Sequence, residues 1–136
     1  IRLCSVMLKK NTHIDDIKGI RISVKSKFKK PLLKKNKPFY IFRSSIVVHN
    51  FSNSNIQILS NYKSILEPFF KKSSILKFSS KPLLKPGKRV KIYLDHFLKS
   101  KAAIVNSYFS MISLNNSKKF KAYIPPIKLT HPEILN

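Results

Sequence analysis

Residues 17–24, I-K-G-I-R-I-S-V, run into residues 25–38, K-S-K-F-K-K-P-L-L-K-K-N-K-P, and then into residues 39–49, F-Y-I-F-R-S-S-I-V-V-H. The first piece alternates. Ile20, Ile22 and Val24 face one way, and Arg21, Ser23 and Lys25 face the other, which is the pattern of a half-buried strand with a basic outer face. The third piece is aromatic and β-branched, the composition that fits a pleated surface best. Between them, Lys25–Pro38 holds seven lysines and no acid. Pro31 and Pro38 lack an N–H and fix φ, so neither suits a central strand. This stretch therefore reads as a long basic loop between two strands, with Phe28, Leu32 and Leu33 turned to the body and the lysines turned to phosphate.

The pattern of short strands and turns repeats in both directions. Arg2–Leu8 is apolar and β-branched and stops at the turn Lys9-Lys10-Asn11. Asn50–Asn55 is an Asn/Ser turn. From Ile56 to Lys85 short apolar pieces stand among Ser and Lys, and this region reads either as strand and loop or as a short helix from about Asn61 that stops before Pro68. Lys85-Pro86-Gly87-Lys88 has type II turn chemistry, with Gly87 at the position that needs φ > 0. Arg89–Asp95 alternates again, with Val90, Ile92 and Leu94 inward and Arg89, Lys91 and Tyr93 outward. Lys101–Ser113 is one strand, or two with a kink at Asn106. The tail is basic at Lys118, Lys119 and Lys121, extended through Pro125-Pro126, and starts a short helix near Pro132. The expected fold class is mainly β: a small antiparallel five-stranded barrel with a long basic loop and a short C-terminal helical segment. Residues 1–136 form a single domain on this reading, with 50–85 a candidate insertion.

The charge is the strongest functional signal. Lys+Arg number 28 against five Asp+Glu, a formal net charge of +23. A compact body with that charge repels itself, so an anionic partner is expected, either nucleic acid or an anionic membrane surface. Lys, Ile and Asn dominate, and all have A/T-rich codons, so genome composition supplies part of the bias. The single cysteine, Cys4, excludes an intrachain disulfide and a Cys-based zinc site, and reads as a small buried hydrophobe. No transmembrane helix is expected, since the uncharged runs are rich in Ser and Asn. The apolar run at residues 1–10 is too short for a signal peptide.

Catalytic chemistry finds little to work with. The four histidines, His13, His49, His96 and His131, stand far apart. Asp95-His96 are adjacent, but neighbours on a strand point to opposite faces. Asp15-Asp16 has no second acid cluster to complete a metal site. Neither a Walker loop nor a G-x-G-x-x-G run occurs, and only two glycines are present. The chain is read as a non-enzyme, with no catalytic residue, no metal and no cofactor. The residues expected to meet RNA are Lys9, Lys10, Lys25, Lys27, Lys29, Lys30, Lys34, Lys35, Lys37, Arg43, Lys85, Lys88, Arg89, Lys118, Lys119 and Lys121. Lysine reads phosphate as a point charge without base specificity. If about eight phosphates are neutralised, log K falls with log salt with a slope of roughly −6 to −7. Phe28, Tyr40, Phe42 and Tyr93 lie beside these clusters; they read first as packing aromatics, with base stacking the alternative.

Several short pieces, in order, resemble the universal large-subunit ribosomal protein fourteen family. They are Arg2–Leu8, Asp16-Ile17 through Ile20–Lys25, Lys29-Lys30-Pro31 to Lys37 with Ser45–Val48, Lys91–Asp95 with Ala102–Asn106, and Leu129–Leu135. The family's "D-N-S-G-A" start is absent, and Asn115–Tyr123 stands where its "G-T-R-I-F-G-P-V" segment belongs. The resemblance implies a five-stranded barrel, contacts with large-subunit ribosomal RNA and neighbouring ribosomal proteins, and a place near the subunit interface. With the A/T-type composition it implies a mitochondrial ribosome. The expected function is structural constituent of that ribosome, with no small-molecule substrate. The alternatives are a basic accessory subunit of an organellar membrane complex and another nucleic-acid-binding protein.

Overall fold

The computed structural model describes residues 19–34 and 37–135. Its strands are β1 (Ile20–Lys34), β2 (Lys37–Asn50), β3 (Ile56–Glu67), β4 (Phe70–Lys77), β5 (Leu83–Leu84), β6 (Arg89–Leu98), β7 (Ala102–Ser113) and β8 (Lys118–Thr130). All pairings are antiparallel. The first sheet has three strands in the order β1-β2-β6; the second runs β4-β3-β7-β8, with β5 pairing β3.

Period two decides which side chains meet. On the first sheet Val24, Ile46 and Ile92 stand in one row, and Ile22, Val48 and Val90 in another. On the second, Ile58 stands opposite Met111, and Ile65 opposite Val105, which in turn faces Ile127. The inward residues of both sheets form one hydrophobic cluster that includes Phe42, Ile46, Val48, Ile56, Ile58, Leu98, Val105, Phe109 and Met111. The architecture is a sandwich of two sheets on one apolar layer.

The mainly β, antiparallel expectation holds, but three details of it are corrected. No closed barrel is found. No ladder joins β1 to β8 or β6 to β4. On the first side the closure is by rings, Phe28 and Tyr40 lying edge-on to His131 at 4.5 and 5.3 Å. On the other side it is by lysines, Lys63 Nζ donating to Asp95 O and Lys72 Nζ to Phe97 O.

The second correction concerns the basic loop. Lys25 to Lys34 continue β1, and β2 begins at Lys37, so the stretch is a long hairpin rather than a loop. The prolines are tolerated because β1 is an edge strand, and because Pro38 precedes Tyr40, the first β2 residue that pairs with β6. Phe28 anchors the strand against Phe42 (5.3 Å), and the register shifts between Phe28 and Lys30, which makes Lys29 a bulge residue. Third, the C-terminal helical segment is not seen; a single 3-10 turn at Pro132–Leu135 stands in its place.

The open choice after Asn61 falls to strand, since β3 and β4 form a hairpin there. The kink expected at Asn106 is a register shift between Val105 and Ser107. The turn at Lys85 closes with Lys88 N donating to Lys85 O at 3.0 Å, and Gly87 takes φ 83°. Gly19 is held at φ 101°, and a Cβ there would meet the backbone N of Ser52 at 2.9 Å. The expected strand Arg2–Leu8, Cys4 and Asp15-Asp16 lie outside the described residues.

Candidate nucleic-acid interface

The outward residues of the first sheet follow from the same alternation. Its rows read Arg21–His49–Arg89, Ser23–Val47–Lys91, Lys25–Ser45–Tyr93 and Lys27–Arg43–Asp95 across β1, β2 and β6. Lys30 continues the face opposite Ile41, which pairs with Phe97. One carboxylate, Asp95, lies on this face among the described residues. Arg43 neutralises it with two hydrogen bonds, Nε to Oδ1 at 2.8 Å and Nη2 to Oδ2 at 3.2 Å. Those bonds first, and the charge of Arg43 and then of Lys29, hold the Asp95 carboxyl below the usual carboxylate range. Among the described residues no carboxylate stands against exposed Arg21, Lys25, Lys27, Arg89 and Lys91.

Aromatic rings stand among these cations. Tyr93 is 57% exposed, Phe97 45% and Phe51 52%. The Arg43 guanidinium sits 5.6 Å from the Tyr93 centroid, and Lys91 Nζ 6.0 Å from it. Arg21 lies 4.9 Å from the Phe51 ring, whose other neighbour is stacked His49. A sheet face carrying cations that can follow a backbone and rings that can stack on bases is chemically suited to a nucleic-acid strand.

The structure sorts the residues expected to meet RNA. Lys25, Lys27, Lys29, Lys30, Arg43 and Arg89 come together on the first sheet. Lys85 and Lys88 join its end, where Gly87 N and Lys88 O both bond the backbone of Asn50. Lys34 and Lys37 face each other at the hairpin end by backbone register. Lys118, Lys119 and Lys121 do not join this surface; they start β8, and Lys119 and Lys121 pair with Ile112 and Ser110 on the outer face of the second sheet. Lys9, Lys10 and Lys35 lie outside the described residues. Of the four aromatics, Phe42 is buried, Phe28 and Tyr40 pack partly against the core, and Tyr93 is the exposed one.

The list of RNA-meeting residues omitted Arg21 and Lys91, although their outward alternation in Ile20–Lys25 and Arg89–Asp95 signalled them. Lys119 and Lys121 belong to a second basic face, the rest of which sequence reasoning missed. Tyr62, Tyr108 and Tyr123 form one row across β3, β7 and β8, ring to ring at 5.0 and 5.5 Å. Lys121 Nζ lies 4.9 Å from the Tyr108 ring. Lys71, Lys77 and Lys128 share that face by register.

Asp95 and His96 do point to opposite faces. The fully buried His96 ring bonds Ser44 Oγ through Nε2 at 2.8 Å and meets Lys63 Nζ through Nδ1 at 3.2 Å. No group of three or more His, Cys, Asp or Glu side chains poised for a metal occurs among the described residues. No helix among them is long and apolar enough to cross a membrane.

No protein-family model and no curated protein matches the chain. Solved structures share its fold. A Northeast Structural Genomics Consortium target, SoR45, superposes with a TM-score of 0.79 at 18% identity, over 87% of this chain and 91% of that one. The putative ApaA protein from Bordetella pertussis superposes with a TM-score of 0.68 at 16% identity, over 85% of this chain and 98% of that one. At these identities the likeness is one of fold.

Proposed function

We propose that this protein is a non-catalytic RNA-binding constituent of a ribosome, laying the outer face of β1, β2 and β6 on ribosomal RNA. One observation carries the reading. Arg21, Lys25, Lys27, Arg89 and Lys91 share one sheet face with exposed Tyr93, and the single carboxylate described on it is consumed by Arg43. The ribosomal setting, in the large subunit of a mitochondrial ribosome, rests on the sequence resemblance and the A/T-type composition. The open sandwich departs from the barrel that the resemblance implies, so RNA binding is argued from the face and the charge.

The test is binding of a structured ribosomal RNA fragment at a series of salt concentrations. The triple variant Lys25→Glu, Lys27→Glu, Lys91→Glu should bind more weakly at every concentration. Its log K against log salt slope should be shallower by about 2 to 3, from the loss of three phosphate contacts. An unchanged slope overturns the assignment of this face. Binding to cardiolipin vesicles with none to RNA overturns the RNA reading in favour of an anionic membrane.

A further inference from the structure

The sheets part where edge strand β6 faces β3 and β4. A cleft of about 280 Å³ opens there, lined by Lys63, Ile65, Lys72, Ser73, Ser74 and Phe97. Lys63 Nζ donates to Asp95 O at 3.0 Å and meets His96 Nδ1 at 3.2 Å; Lys72 Nζ donates to Phe97 O at 2.7 Å. An ammonium has three donors, so one remains on Lys63 and two on Lys72. Ser73 Oγ accepts from the Tyr62 hydroxyl at 3.2 Å on the outer face, whereas Ser74 pairs with Lys63 in the ladder and shares the inner face with Lys72.

Among the described residues no carboxylate lines the cleft. The Asp95 carboxylate is turned to the outer face on Arg43, and Glu67 Oε1 is taken by the backbone N–H groups of Lys99 and Ser100. Burial first, and then the charge of Lys72, lowers the pKa of Lys63. The two cations thus repel each other in a partly desolvated place, where Coulomb interactions are stronger than in water. An anion seated between them would turn that repulsion into two attractions.

We propose that this cleft is a binding site for a phosphate dianion, held by the free donors of Lys63 and Lys72 with the Ser74 hydroxyl as a further donor. The site is separate from the outer sheet face and does not depend on it. A terminal nucleotide phosphate and free inorganic phosphate both offer this chemistry.

The experiment is thermal melting of the full chain as inorganic phosphate replaces chloride at constant ionic strength. A saturable rise in Tm is expected, since a ligand that binds only the folded state stabilises it by mass action. Lys72→Met should abolish the rise. Lys71→Met, one position away on the outer face, should keep it, as should the Lys25, Lys27, Lys91 triple variant. Equal rises in Lys72→Met and Lys71→Met overturn the site, because the effect would then be a general action of phosphate on the folded protein and not binding in this cleft. Phosphorus NMR line broadening on wild type, lost in Lys72→Met, gives a readout that a merely structural lysine would not move. An oligonucleotide with a 5′-phosphate that displaces inorganic phosphate, when its 5′-hydroxyl counterpart does not, supports the site and assigns the nucleotide source. Displacement by neither supports it and assigns the free ion. Equal displacement by both overturns the site, since the oligonucleotide would then compete through its phosphodiester backbone and not through a terminal phosphate.

Discussion

His96 lies at the junction of the two sheets with its ring fully covered, between the Ser44 hydroxyl and the Lys63 ammonium. Burial, and then the charge of Lys63, brings its pKa from 6.5 down to about 4, against a smaller opposing pull from Asp95. Below pH 6.5 the unfolded chain takes up a proton that the folded chain refuses. The stability tied to a neutral His96 is therefore complete above pH 6.5 and is lost as the pH falls toward 4. The full difference is on the order of 3 kcal/mol. Urea midpoints should fall between pH 7 and pH 4.5, and His96→Gln should flatten that fall. A variant whose midpoint drops as steeply as wild type would clear His96 of the effect. That Asp95 and His96 point to opposite faces was legible, because strand geometry separates neighbours. The partner Lys63 was not legible, since it comes from the other sheet and from a region with no clear pattern.

At the scale of elements, the strands with the cleanest alternation were readable from their residues, and β1, β2 and β6 are where those patterns stood. The extent of β1 was misjudged because a lysine-rich, proline-containing run resembles a loop. What makes it strand is tertiary: an edge position that needs no N–H from Pro31, a bulge at Lys29, and the Phe28 ring wedged between Phe42 and His131. A basic face was visible in outline, but its division between two sheets depends on pairings that no local pattern encodes. The same holds for Glu67, whose Oε1 accepts the backbone N–H groups of Lys99 and Ser100 at 3.0 and 2.8 Å and so ties the β6–β7 turn to the end of β3. Glu67 is 2% exposed. Glu67→Ala would leave two amides without their acceptor and should cost about 2–3 kcal/mol in urea unfolding. A change under a few tenths would show that water replaces the carboxylate there.

For the whole molecule, the formal charge of +23 acts on copies as well as on partners. Among the described residues β4 pairs only with β3, every residue along it is exposed, and it presents Ile75 at 65% and Leu76 at 51%. An edge of that kind invites pairing with a second copy, and Lys71, Lys72 and Lys77 on the strand oppose it. That opposition is electrostatic and is screened over about 8 Å at physiological ionic strength. Light scattering of the free protein should therefore rise with added sodium chloride, and Ile75→Lys should suppress the rise. Salt-independent scattering would mean that the edge is protected by something other than charge.

The two lysine-bearing faces lie back to back. Arg21, Lys25, Lys27, Arg89 and Lys91 look out from one sheet, and Lys71, Lys77, Lys119, Lys121 and Lys128 from the other. Packed sheets stand about 10 Å apart, and the side chains add a layer on each side. In the proposed setting the domain is a spacer. Two phosphate strands that would otherwise repel are each held to it, and their separation is set by the thickness of a hydrophobic core rather than by any base pair.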